Sequence, residues 1–147
     1  MNPAPFVLVT GNRHKVAETQ RLLAERFGAL EHLDLDLPEP QSLDLGTVLQ
    51  AKGDEAWRRL GRPLVVEETS LELDALNGFP GPLVKWMLQA VAAEGIARTA
   101  LALGDSGATA RCALLYRDGT KELFAEGAPK GTLVLPARGP HGFGWDS

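Results

Sequence analysis

Apolar and polar positions follow two rhythms along this chain. Phe6-Val7-Leu8-Val9 is an unbroken apolar run, the pattern of a strand covered on both faces, and Thr10-Gly11-Asn12 ends it with a turn signal. The spacing then becomes helical: Val16, Leu23 and Phe27 share a face, with Gln20 between them, and Gly28 supplies a C-terminal stop. Leu33, Leu35 and Leu37 alternate with acids, a period of two that predicts a second strand running to Leu37 and closed by Pro38-Glu39-Pro40. A second helix is predicted over 47–60, where Leu49, Gly53, Ala56, Trp57 and Leu60 line one face and Gly61-Arg62-Pro63 stops the run.

Leu64-Val65-Val66 predicts another buried strand, ending at Glu67-Glu68-Thr69-Ser70, after which Leu71, Leu73 and Ala75 alternate. Residues 77–82 form a glycine- and proline-rich loop. A third helix is predicted from Leu83 to about Ala93, with Val84, Met87, Leu88 and Val91 on one face, and a shorter helical stretch around 95–103. Residues 109–127 predict a hairpin around Asp118-Gly119, since that dipeptide favours a tight turn with positive φ. A last short strand is expected over 132–135, followed by a glycine-rich end at 138–147. Strands and helices alternate early and a hairpin comes late. The expected class is therefore α/β, a mixed β-sheet flanked by helices in one domain spanning 1–147.

Bulk composition narrows the function classes. The net charge of −4 argues against a surface that coats nucleic acid, which needs a field of lysine and arginine; a single nucleotide needs only a few local cations. No stretch approaches the roughly 18 apolar residues of a membrane span, and the N-terminus lacks the basic and apolar regions of a signal peptide. The expectation is a cytoplasmic protein with no membrane partner. The one cysteine, Cys112, sits in the apolar run Cys112-Ala113-Leu114-Leu115 and is expected to be a buried thiol. Trp57 and Trp86 are expected to pack in a core or an interface. His32 and His141 are isolated and expected at the surface, and His14 with Glu18 lacks a further ligand for zinc.

Three segments carry candidate chemistry. Thr10-Gly11-Asn12 leads from a strand into a helix start, where exposed N–H groups favour an anion and Gly11 allows close approach; Lys15 stands one turn further on. Glu67-Glu68 places two adjacent carboxylates at a predicted strand end, pointing to opposite faces and suited to a hard cation such as Mg²⁺. Gly142-Phe143-Gly144-Trp145-Asp146 offers aromatic faces for a base and a carboxylate for its N–H groups. Each also has a plain structural reading: a simple strand–turn–helix connection, two solvated acids, a hydrophobic anchor.

Taken in order, these segments resemble one family. Thr10-Gly11-Asn12-Arg13-His14-Lys15-Val16-Ala17-Glu18 resembles the opening Thr-Gly-Asn-x-x-Lys-x-x-Glu motif of the inosine triphosphate pyrophosphatase (Ham1) family. Leu37-Pro38-Glu39 resembles its acidic segment. Val66-Glu67-Glu68-Thr69-Ser70-Leu71, the stretch Asp74 to Pro82, and Lys85-Trp86 resemble its central signature. Arg138-Gly139 with Gly142 to Asp146 resembles its base-recognition motif.

The resemblance implies an elongated α/β fold, a homodimer, and Mg²⁺-dependent cleavage of a nucleoside triphosphate into monophosphate and pyrophosphate. The favoured substrates would be the inosine, deoxyinosine and xanthosine triphosphates. It gives Thr10, Gly11, Asn12, Lys15 and Lys52 to the triphosphate, and Glu39, Glu67 and Glu68 to the metal. Glu68 is also the proton acceptor, Lys15 stabilises charge, Thr69 contacts substrate, and Phe143, Gly144, Trp145 and Asp146 grip the base. Two departures stand out. Glu68 occupies a position where the family usually has aspartate, and a shift of about an ångström in a reacting group can cost about 10²-fold in rate. The chain is also expected to be a C-terminally shortened form, ending at Ser147 before the family's late Lys and Ser-His-Arg residues, with a sheet edge left for a partner. A hydrolase and a weakly active or non-catalytic nucleotide-binding relative with relaxed base preference both remain open on this reading.

Overall fold

The computed structural model describes residues 4–139 together with Gly144 and Trp145. In chain order the elements are β1 (Val7–Val9), α1 (Arg13–Phe27), β2 (His32–Leu33), α2 (Leu45–Leu60), β3 (Leu64–Leu73), a 3-10 turn (Asp74–Leu76), β4 (Pro80–Gly81), α3 (Val84–Ala102), β5 (Gly107–Arg117), β6 (Glu122–Gly127) and β7 (Lys130–Thr132). The backbone divides into two compact units. The first holds residues 1–40, 46–68 and 113–125, and the second 41–45, 69–112 and 126–147.

In the first unit the strand order is β2-β1-β3-β5-β6. β1 pairs in parallel with both neighbours, Val9 opposite Leu33 of β2 and opposite Val66 of β3. All three β1 side chains are buried, as a doubly covered parallel strand requires. The α/β class and the mixed sheet are as the sequence predicts, with corrections in length. β2 stops at Leu33, not Leu37, because β1 has only three residues to pair with before the chain turns into α1. β3 does not end at Glu67-Glu68 but runs through the pair to Leu73.

Local chemistry explains how the helices sit. Gln20, in the inward stripe of α1, donates to the Gly28 carbonyl at 2.6 Å and accepts from the Leu30 N–H at 2.7 Å, tying the end of α1 to the entry of β2. Helix α2 lies close against the sheet because residue 53 has no side chain: a Cβ there would fall 2.3 Å from Leu115 Cδ2 and 3.7 Å from Val66 Cγ2. The hairpin turn after β5 rests on half-buried Trp57, 2.8 Å from where a Cβ on Gly119 would stand. Phe6 meets Phe27 and Tyr116 edge-on, at centroid distances of 5.7 and 6.3 Å.

The second unit has its own core of Leu71, Leu73, Val84, Ile96, Ala100 and Ala108, with Met87, Leu88, Leu133 and Trp145 packed on it. Helix α3 is broken at Ala92, whose φ of 58° and ψ of 175° are not helical, so its two pieces match the two helical stretches read from the sequence. β7 spans Lys130–Thr132 rather than 132–135, since its partners are Gly107, Ala108 and Thr109 of β5; the Leu133 N–H extends the contact to the Ser106 carbonyl at 2.8 Å. One burial expectation fails here: Cys112 is exposed. Trp86 is 59% exposed beside Lys85, which leaves an interface, and not the core, of the two settings expected for it.

Candidate active site

The first unit gathers eight of the residues singled out in the sequence: Thr10, Gly11, Asn12, Lys15, Glu39, Lys52, Glu67 and Glu68. The strand-to-helix turn after β1 is closed by its own side chains. The Thr10 hydroxyl accepts from the Asn12 N–H at 3.2 Å. Asn12 Oδ1 accepts from the His14 and Lys15 N–H groups at 3.0 and 3.4 Å, an N-cap on α1. This corrects the picture of exposed N–H groups at the helix start: those two are satisfied by Asn12. Gly11 also has a packing reason, because a Cβ there would stand 2.8 Å from Asp34 Oδ1. Sequence alternation marks Asp34 as polar, but nothing in it points to Gly11.

Glu67 and Glu68 follow Val66, the last β3 residue paired with β1. Beyond that point β3 has no β1 neighbour, which leaves room for side chains from the helices. Strand alternation sends Glu68 to the face of Val66, where α2 packs, and Glu67 to the other face. Each carboxylate meets a lysine from a different helix. Lys52 Nζ, from α2, donates to Glu68 Oε2 at 2.8 Å, to the Glu67 main-chain carbonyl at 3.2 Å and to Glu39 Oε1 at 3.5 Å. Lys15 Nζ, from α1, lies 3.4 Å from Glu67 Oε1. The latter contact is an ion pair without hydrogen-bond geometry, and Glu67 Oε1 is buried with no hydrogen-bond partner among the described residues.

The electrostatics follow from burial and these pairings. Burial pushes the Glu67 carboxyl above its ordinary range; Lys15 and then Lys52 pull it down, and adjacent Glu68 adds to the rise. Burial alone would lower the Lys52 ammonium, but Glu68 and Glu39 outweigh it and leave it above its ordinary value. Lys52 therefore stays charged. The cluster sets two ammonium groups among three carboxylates, so it carries one negative charge in excess before any polyanion arrives. Among the described residues, no three acid, histidine or cysteine side chains converge closely enough to cage a metal by themselves.

The remaining predicted residues fall elsewhere. Thr69, next on β3, is half-buried and is counted with the second unit, as are Gly144 and Trp145. Trp145 packs on the second unit's core and lines a largely apolar pocket of about 740 Å³ with Leu71, Ala97, Arg98, Ala108 and Leu133. Phe143 and Asp146 lie outside the described residues, as does His141; His32 is exposed, as expected.

Comparison with known proteins adds independent findings. A family model described as the Ham1 family matches residues 6–147. The inosine triphosphate pyrophosphatase of Schizosaccharomyces pombe is 41% identical over 145 residues, covering 97% of this chain and 75% of that protein. A crystal structure of a nucleoside-triphosphatase / dITP/XTP pyrophosphatase from Mycobacterium abscessus superposes with a TM-score of 0.68 at 26% identity, covering 95% of this chain and 80% of the other. A HAM1 protein from Coxiella burnetii, 23% identical, superposes with a TM-score of 0.79 over 99% of this chain and 80% of its own, a likeness of fold.

Proposed function

The chain belongs to the Ham1 family, and on that premise we propose that it hydrolyses non-canonical purine nucleoside triphosphates, of the inosine, deoxyinosine and xanthosine kind, to the monophosphate and pyrophosphate. The observation that carries the reading is the pairing of Lys15 with Glu67 and of Lys52 with Glu68 just past the end of β1. Two ammonium groups from separate helices supply part of the positive charge that a triphosphate needs. The carboxylates supply a proton acceptor beside them.

In this reading Lys15 and Lys52 bind phosphate oxygens, and Thr10, Gly11 and Asn12 shape the turn beneath them. Glu68 takes the proton of the attacking water, and Thr69 contacts substrate. Phe143, Gly144, Trp145 and Asp146 hold the base.

Mg²⁺ belongs to the proposal, and the donor set fits it. The carboxylates are hard oxygen donors, and magnesium is commonly held by one or two of them together with waters and substrate phosphates, so no preformed cage is required. The negative excess of the cluster also leaves it short of the cation that a triphosphate demands. Glu39 and Glu68 would hold the ion, with Glu67 beside them. When bound it would neutralise phosphate charge and acidify a water.

A homodimer and a cytoplasmic location complete the proposal. Among the described residues, no helix is long and apolar enough to cross a membrane. The deciding experiment is a product assay with inosine, xanthosine, adenosine and guanosine triphosphates, with Mg²⁺ and with chelator. Pyrophosphate, rather than orthophosphate, is expected from the first two, and chelator should abolish it. Tight triphosphate binding with no product from any nucleotide would replace this reading with that of a non-catalytic nucleotide-binding relative.

A further inference from the structure

Glu67 and Glu68 are neighbours in sequence but not in what they touch. The Glu68 carboxylate and Glu39 share one partner, Lys52. The Glu67 carboxylate is not among the groups Lys52 bonds to; only its main-chain carbonyl is, at 3.2 Å. Its side chain, 7% exposed, instead reaches Lys15, itself 15% exposed, at 3.4 Å. Glu67 Oε1 has no hydrogen-bond donor among the described residues, and the Lys15 ammonium is the cation in ion-pair contact with it, ahead of the weaker field of Lys52.

A lysine ammonium rides on a long flexible stem and costs conformational entropy to hold in place. A buried counter-charge on a strand fixes one end of that freedom before any ligand arrives. Lys15 sits one turn into α1, behind the Asn12 cap, where a wandering side chain would leave the phosphate site. Glu67 is also set apart from Glu39 and Glu68 by strand alternation.

The geometry points to Glu67 as a positioning residue that acts on the reaction through Lys15, and not as a ligand of the metal. This rests on the hydrolytic reading above. It divides the acids in two: Glu39 and Glu68 face Lys52 and the metal, and Glu67 holds Lys15 for the phosphates.

The test is a double-mutant cycle on the whole chain with Glu67→Gln and Lys15→Met. Four quantities are read: kcat and KM for inosine triphosphate, the Mg²⁺ concentration giving half-maximal rate, and calorimetric binding of an α,β-imido inosine triphosphate analogue with chelator present. Glu67→Gln should lower kcat/KM by roughly tenfold or more, the size of one lost charge-assisted contact. It should weaken metal-free analogue binding as well. In the Lys15→Met background it should do neither, and half-saturation by Mg²⁺ should match wild type.

Losses that multiply across the cycle, or a severalfold rise in the Mg²⁺ requirement of Glu67→Gln, would overturn the inference and return Glu67 to the metal. If Glu67→Gln fails to fold by circular dichroism, Glu67→Asp takes its place. With its shorter reach it should show the same loss, in a smaller degree, at an unchanged Mg²⁺ requirement. If the wild-type chain releases no pyrophosphate, the hydrolytic reading falls, and the metal-free binding cycle still decides whether Glu67 works through Lys15.

Discussion

Lys52 Nζ donates to Glu68 Oε2 at 2.8 Å, with both side chains nearly buried, at 12% and 13% exposure. A lysine carried by α2 thus closes on a carboxylate carried by β3, and Gly53, the next residue, is what lets the helix come near enough. The pair joins the proposed phosphate site to the proposed proton acceptor. Any change in Glu68 is therefore felt by Lys52 as well.

Glu68→Gln should separate chemistry from binding. The amide keeps the size of the side chain but cannot take a proton, and general-base contributions are typically 10²–10⁴-fold. Turnover should fall on that scale. Triphosphate binding should not weaken, since Lys52 loses its strongest competitor for phosphate while Glu39 and the Glu67 carbonyl still hold it. Single-turnover rates and equilibrium titration read the two effects. Turnover within a factor of two of wild type would move the proton acceptor elsewhere.

Asn12 caps α1, and the family resemblance also gives it to the triphosphate; two substitutions part these roles. Asn12→Ala removes the acceptor for the His14 and Lys15 N–H groups and should cost about 1 kcal/mol of stability. Asn12→Asp keeps the cap and adds a charge favoured at a helix N-terminus by about 0.3–1 kcal/mol, so it should be as stable as wild type or more so. It also places an anion beside the triphosphate and should weaken binding. Urea denaturation and nucleotide titration test the two halves. Undiminished binding by Asn12→Asp would confine Asn12 to the cap.

The cluster's members were readable before the fold was, but their pairing was not. The apolar run 6–9 and the Thr10-Gly11-Asn12 turn announce a strand feeding a helix, and two adjacent acids after Leu64-Val65-Val66 are conspicuous. Which lysine meets which acid depends on which face of β3 each helix covers, and that is decided by packing at Gly53 and by the short reach of β1. The same ambiguity applies to Cys112. In an unbroken run such as Cys112 to Leu115, composition cannot say which parity faces inward. The structure buries Ala113 and Leu115 and leaves Cys112 and Leu114 exposed. Likewise alternation alone predicts a longer β2, because it continues past Leu33 while the partner strand does not.

Ala92 is a position away from the site where a substitution should raise stability. Its φ of 58° with ψ of 175° lies where residues with a Cβ are strained by on the order of 1–3 kcal/mol, and glycine is not. The side chain is exposed, so little packing is lost on removing it. Glycine costs about 0.5–1 kcal/mol in chain entropy, which leaves a net gain for Ala92→Gly. The denaturation midpoint should rise. A lower midpoint would mean that the break in α3 is not held at residue 92 in solution.

Gly53 tests the packing that brings Lys52 to Glu68. A methyl group there would enter space held by buried Leu115, 2.3 Å from Cδ2 and 3.6 Å from Cγ. Overpacking of this kind costs about 1–3 kcal/mol. Alanine gains up to about 1 kcal/mol over glycine within a helix, which offsets only part of it. Gly53→Ala should therefore lose stability, and it should also lose activity, because α2 must lift and carry Lys52 with it. The cause can be isolated by pairing it with Leu115→Val, which removes the conflicting Cδ2 atom. In that background the cost of Gly53→Ala should shrink or change sign, a coupling expected only of residues in contact. Equal costs in both backgrounds, measured by urea denaturation, would show that the helix does not rest on Leu115 at this point.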